Sequence, residues 1–424
     1  MKTIPLVTAL LLCGLVTSAS AQAGRDNLQA LKQFKVSGTD LNIPPVPQEG
    51  RNAEAIKANL KNVKLPPGFR IDLYAVVPDA RHMAVAPNTN MLFVGTRKTR
   101  VWAVTDRNGD SVADEVKPFA PSLNFKVPNG VCWTKDGFLI VVEHNRVLNF
   151  PAAEFFYEGP DVAVIELVPQ GNLIPVGEES FNHGARVCRV ADDGTLYITV
   201  GQPHNVPPAG KVEMYERLGI GGIVRMNAFD GSKREVYARG VRNSVGMDIN
   251  PKDKTVWWTD NQTDGLGDEV PPGELNRSTK AGEHFGYPYW NGKFKVAGSP
   301  AAPDLKDMKE PANAIAPQVE FPAHQAQLGM TFYSGKQFPA KYQGGIFVAA
   351  HGSWNRTKPS GALINFIPVK ADGTAGASEV FAEGWLDANG VYKGRPVDVA
   401  QMKDGSILIS DDYVGAIYRV TYAP

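Results

Sequence analysis

One pattern constrains this chain more than any other: a short apolar strand, a polar turn often built on Asp-Gly, and a second apolar strand, repeated six times. The copies are Met83–Ala86 with Met91–Val94, Gly130–Trp133 with Phe138–Val142, and Ala185–Val190 with Thr195–Val200. Then come Val245–Ile249 with Thr255–Trp258, Leu328–Phe332 with Gly345–Val348, and Pro396–Ala400 with Ser406–Ile409. Asp136-Gly137, Asp193-Gly194 and Asp404-Gly405 supply the turn chemistry, because Asp bonds its own backbone and Gly accepts positive φ. The patterned region from 65 to 424 holds 360 residues, about 60 per hairpin, which allows four strands and their loops. The expectation is an all-β chain, a six-bladed β-propeller of four-stranded antiparallel sheets. Separate β-sandwich domains fit less well, since no linker interrupts the series. The 42 Gly and 32 Pro residues agree with so many turns. Segment 264–320 is poor in strands and reads as loops on one face, where sites tend to sit.

Charge excludes some partners. Lys plus Arg number 44, Asp plus Glu 44. No net positive field attracts nucleic acid or an anionic membrane surface. Residues 1–23 read as a signal peptide: a basic Met1-Lys2, an apolar run from Ile4 to Val16, and small residues from Ser18 to Ala23. The run is too short for a membrane span, and Leu12 disfavours lipid attachment at Cys13. The expected location is periplasmic or secreted. Residues 24–64 read as a polar lead-in stiffened by Pro44-Pro45-Val46-Pro47. Beyond the signal only Cys132 and Cys188 remain. They are a disulfide or two buried thiols; the second is preferred, because a sequence does not supply the Cα spacing a disulfide needs.

Several short motifs carry chemistry. Asp106, Asn108, Asp110 and Asp114 place oxygens at loop positions 1, 3, 5 and 9, a spacing that wraps Ca²⁺; the other reading is an acidic surface turn. His183 stands just before the third hairpin, where a propeller loop faces the central channel and an imidazole can take a proton. Singly, such a His is more often structural. Arg242 precedes the fourth hairpin, Arg356 follows the fifth, and Arg395 precedes the sixth. On six blades these four residues share one rim. Converging guanidinium groups call for a multiply anionic ligand. The run from Asp260 to Glu269 offers oxygens for a second Ca²⁺ or forms an exposed acidic loop, and the residues alone favour the loop. No Walker A, G-x-G-x-x-G, G-x-S-x-G or Cys-x-x-Cys-His motif occurs in a fitting context.

Taken in order, Asn182-His183-Gly184-Ala185-Arg186, Val241 to Gly246, Gly267-Asp268-Glu269, Gly286-Tyr287-Pro288 and Gly394 to Asp398 resemble the glucose/sorbosone dehydrogenase family. These are soluble quinoproteins, six-bladed propellers that use pyrroloquinoline quinone, and the resemblance spans about 65–422. It implies that His183 is the base for a substrate hydroxyl. It implies that Arg242 and Asn243 flank the quinone oxygens, Arg242 taking part in the chemistry, and that Arg356 and Arg395 hold cofactor carboxylates. It further implies that the Gln262–Thr263 backbone binds an activating Ca²⁺. Val397 stands where some members carry a second basic residue, and Gln262-Thr263 replaces a commoner Gly-Pro. The implied activity is oxidation of an aldose, sorbosone-like sugar or related alcohol, with an electron acceptor the sequence leaves unknown. A non-catalytic binding propeller and a calcium-dependent lactonase are the alternatives.

Overall fold

The Asp residues of the turns explain why the hairpins form. In the third, fourth and sixth, the side chains of Asp193, Asp253 and Asp404 accept the N–H two residues on, at 2.9, 3.0 and 3.0 Å. Each turn is thereby closed by its own side chain. The computed structural model describes residues 43–159 and 162–424. The expected signal peptide and the first part of the lead-in lie outside those residues.

All six expected hairpins are present, and each supplies the two inner strands of a sheet. The sheets follow one another as six blades. The inner strands Met83–Val85, Gly130–Trp133, Cys188–Val190, Gly246–Ile249, Gln327–Phe332 and Pro396–Gln401 pack in a closed ring. One strand breaks the sequential order. Phe69–Val76 is the outer strand of the sixth blade, paired antiparallel with Ala416–Tyr422 from Phe69↔Tyr422 to Val76↔Ala416. The third blade gains a short fifth strand, Glu283–His284, parallel to Glu235–Arg239. The fourth waits until Val319–Phe321 for its outer strand, after a long insertion.

The apolar core is divided among the gaps between blades. Phe93, Phe119, Leu139 and Phe150 fill the gap between the first and second blades. Tyr197, Ile223, Met247 and Trp258 fill that between the third and fourth. Tyr74, Leu92, Leu408 and Ile417 join the sixth to the first. The axis is polar instead: Arg189 reaches Asp248 at 3.2 Å and His82 at 2.8 Å. Residues 51–60 depart from a plain polar lead-in. They form a helix, Arg51–Leu60, that buries Ala53, Ile56 and Leu60 against the fifth- and sixth-blade core. Those three residues lie on one helical face.

The preferred reading of two free thiols is overturned. Cys132 and Cys188 sit on adjacent inner strands with Cα atoms 5.9 Å apart, and they are bonded. Ring packing brings neighbouring inner strands to a disulfide's reach.

Candidate active site

Loops that enter an inner strand and loops that join second and third strands emerge on the same rim. Between them they enclose a cavity of about 420 Å³. His183, Arg242, Asn243 and Gln262 all line it.

His183 is held from three sides. Its Nδ1 lies 2.6 Å from the carbonyl of Gln202, to which Nδ1–H donates, leaving Nε2 as the basic nitrogen. Arg186, fully buried, donates to the carbonyls of His183 and Gly201 at 2.9 and 3.1 Å and fixes the loop. The backbone of His183 itself sits at φ 55°, a conformation that needs such support. Gly201 makes the approach possible. A Cβ there would meet Asn243 Oδ1 at 2.5 Å and the His183 carbonyl at 2.8 Å. Burial, and then the charge of Arg242, push the His183 pKa down to about 3. The folded protein therefore refuses a proton that the unfolded chain accepts from about pH 6.5 downward. Acidification through that window destabilises the fold, and the imidazole is neutral at working pH. In a histidine-labelled NMR titration His183 should stay neutral from pH 8 to below pH 5. A midpoint near 6.5 would contradict this placement.

Arg242 and Asn243 are presented by one carboxylate. Asp260, at the end of Val256–Asp260, accepts their backbone N–H groups at 2.8 and 2.7 Å. Glu274, directly opposite Asp260 in the sheet, has its pKa raised by burial and by that neighbouring charge. The Arg242 guanidinium donates to Asn205 Oδ1 at 2.8 Å and to Asp264 Oδ2 at 2.9 Å. Asn243 Oδ1, Asn261 Oδ1 and Gln262 Oε1 are buried without a hydrogen-bond partner. All three residues line the cavity. Buried polar atoms left this way are costly, and they mark where a polar ligand would complete the site.

The other expected residues lie elsewhere. Arg395 sits over the Tyr392 ring and spends its donors on the carbonyls of His351 and Gly352. Arg356 pairs with Glu269 at 2.7 Å and with the carbonyl of Asp268. Neither is part of the cavity lining. Thr263 bonds Asn291 through both N–H and hydroxyl. Asp106, Asn108, Asp110 and Asp114 lie in the turn between the third and fourth strands of the first blade, on the opposite rim. Asp106 accepts the N–H groups of Gly109 and Ser111, and Asp114 accepts that of Arg107. Among the described residues, no group of three or more His, Cys, Asp and Glu is placed to hold a metal ion.

The cavity has two cations that the sequence reading missed, Arg81 and Arg97. Arg81 is tied to Asp412, which also accepts from His351 at 2.8 Å. Arg97 stacks on Phe181, 5.1 Å from the ring centre. Arg81 stands just before the first hairpin, as Arg242 does before the fourth. Applying the junction rule to the first blade would have found it.

Comparison with known proteins settles kinship. A family described as TrAA12-like matches residues 63–423. The chain belongs to the TrAA12-like family. This TrAA12-like chain is 31% identical over 383 residues to an uncharacterized protein of Borreliella burgdorferi, covering 87% of this chain and 93% of that one. Its fold matches a calcium structure of Trichoderma reesei Carbohydrate-Active Enzymes Family AA12, with TM-score 0.68 and 18% identity over 85% of this chain and 97% of that one. It also matches the holo form of the pyranose dehydrogenase PQQ domain from Coprinopsis cinerea, with TM-score 0.67 and 17% identity over 90% and 99%. At these identities the likeness to the two structures concerns the fold.

Proposed function

We propose that this TrAA12-like chain is a sugar oxidoreductase of the quinoprotein kind. The observation that carries the reading is His183, with Nδ1 bound to a carbonyl and Nε2 left basic, in a cavity beside Arg242 and three unpartnered buried amide oxygens. The names of the Coprinopsis cinerea and Trichoderma reesei relatives support it, the first a pyranose dehydrogenase PQQ domain and the second a carbohydrate-active enzyme solved with calcium. His183 Nε2 would accept the proton of the substrate hydroxyl. Arg242, Arg97 and Arg81 would meet a multiply anionic cofactor, with Asn243 and Gln262 beside them. Bound pyrroloquinoline quinone would supply a two-electron acceptor, and Ca²⁺ beside it a Lewis acid. The orphaned oxygens fit a site that takes a cation together with an organic anion. The substrates proposed are aldoses, sorbosone-like sugars and related alcohols. The Cys132–Cys188 bond fits work in an oxidising compartment such as the periplasm or the exterior.

Reconstitution tests this. The protein with pyrroloquinoline quinone and Ca²⁺ should bind the cofactor and reduce a redox dye in the presence of at least one sugar from an aldose and alcohol panel. No cofactor binding and no dye reduction would sink the proposal.

A further inference from the structure

A second space adjoins the cavity. A lobe of about 340 Å³ opens between the 264–268 loop of the fourth blade and Trp354-Asn355 of the fifth. Asn205, Asp264, Trp354 and Asn355 line both spaces, so the two adjoin across these side chains. Trp354 is 76% exposed, a flat apolar face beside carboxylates and amides. Gly265 lines the lobe at φ 86°, and a Cβ there would meet nothing within 4 Å, so the wall has free space at that point.

The chemistry of this wall is specific. No Lys or Arg lines the lobe, so it offers nothing to a phosphate or carboxylate. Its acids are already answered. Asp264 is bound by Arg242 and by Asn355 Nδ2 at 2.7 Å, and Asp268 accepts the Thr357 N–H on both oxygens at 3.1 Å. A free cation therefore finds little uncompensated charge. What remains is acceptor capacity on the carboxylates, together with the buried, unpartnered Asn355 Oδ1. An aromatic face with hydroxyl acceptors at its edge suits a neutral ring bearing several hydroxyls, whose C–H face covers the indole.

We propose that this lobe is a second saccharide subsite, holding the ring next to the one that enters the cavity. Within the proposed sugar class, the favoured substrate is then a disaccharide over a free monosaccharide. This rests on the sugar reading above for what occupies the main cavity, but binding in the lobe does not require turnover. Isothermal calorimetry of the full chain with glucose, maltose and cellobiose, alongside tryptophan fluorescence, tests it. At least one disaccharide should bind about ten-fold tighter than glucose, about 1.4 kcal/mol, and quench or shift the tryptophan emission, a change that Trp354→Ala removes. Trp354→Ala should abolish that advantage. Gly265→Asn, a residue that tolerates positive φ, adds a side chain to the lobe's wall and should reduce the advantage, with glucose affinity within about two-fold of wild type. Equal affinity for all three sugars would overturn the subsite, as would an advantage that survives both replacements or a lobe that takes choline in preference to sugar. Tighter disaccharide binding without dye reduction supports the subsite and counts against the dehydrogenase. Dye reduction without disaccharide preference does the reverse.

Discussion

Replacing His183 by alanine should lower kcat for sugar oxidation about 1,000-fold, the span expected for loss of a positioned general base. The cofactor should still bind, because its proposed anchors are Arg242, Arg97 and Arg81, and none of these depends on the imidazole. Absorbance titration of the cofactor measures the second quantity and dye reduction the first. The pair separates a base from a structural residue. The imidazole is partly buried and bonded to the Gln202 carbonyl, so the variant leaves one acceptor unmet. His183→Asn keeps a donor in that region, and a melting curve alongside shows whether the fold has survived. Unchanged turnover in a folded variant would remove His183 from the base role.

The second large effect concerns stability. Cys132 and Cys188 are 56 residues apart and join the inner strands of the second and third blades. A closed loop of that length constrains the unfolded chain by about 4 kcal/mol. The double replacement Cys132→Ala, Cys188→Ala should therefore lower stability against urea by about that amount, and wild type under strong reductant should follow it. Ala lacks the sulfur volume that both residues contribute to the core between those blades, so Cys→Ser and Cys→Val pairs help separate packing from the cross-link. A loss below about 1 kcal/mol in every pair would show that the bond adds little.

Much of the fold was readable because its signals are local. Short apolar runs and an Asp that closes its own turn lie within a dozen positions of each other, and all six hairpins carry the paired runs. The site was readable where position along the hairpin determines direction: His183, Arg242, Asn243 and Gln262 stand at such junctions and share one cavity. Arg395 and Arg356 stand at comparable points, yet neither lines the cavity, and their donors are held outside it by backbone carbonyls and Glu269. A sequence shows the charge of a guanidinium but not the competing acceptors around it. The disulfide and the pairing of Phe69 with Tyr422 depend on distances that only the closed ring creates. The helix at 51–60 was missed, because the apolar spacing of Ala53, Ile56 and Leu60 is set among polar residues.

That pairing of first strand with last has a consequence for how the molecule comes into being. The sixth blade is made from both ends of the patterned region, so until the last strand exists the blades can form only an open arc. Both flanks of that arc expose apolar wedge surface until Tyr422 arrives. Shortening the C-terminus by one strand leaves Phe69–Val76 without its partner. It also follows that the ring has no inherent starting blade. The first and last strands of the ring lie side by side, and a ring joined there and cut in an exposed loop elsewhere would draw the same circle.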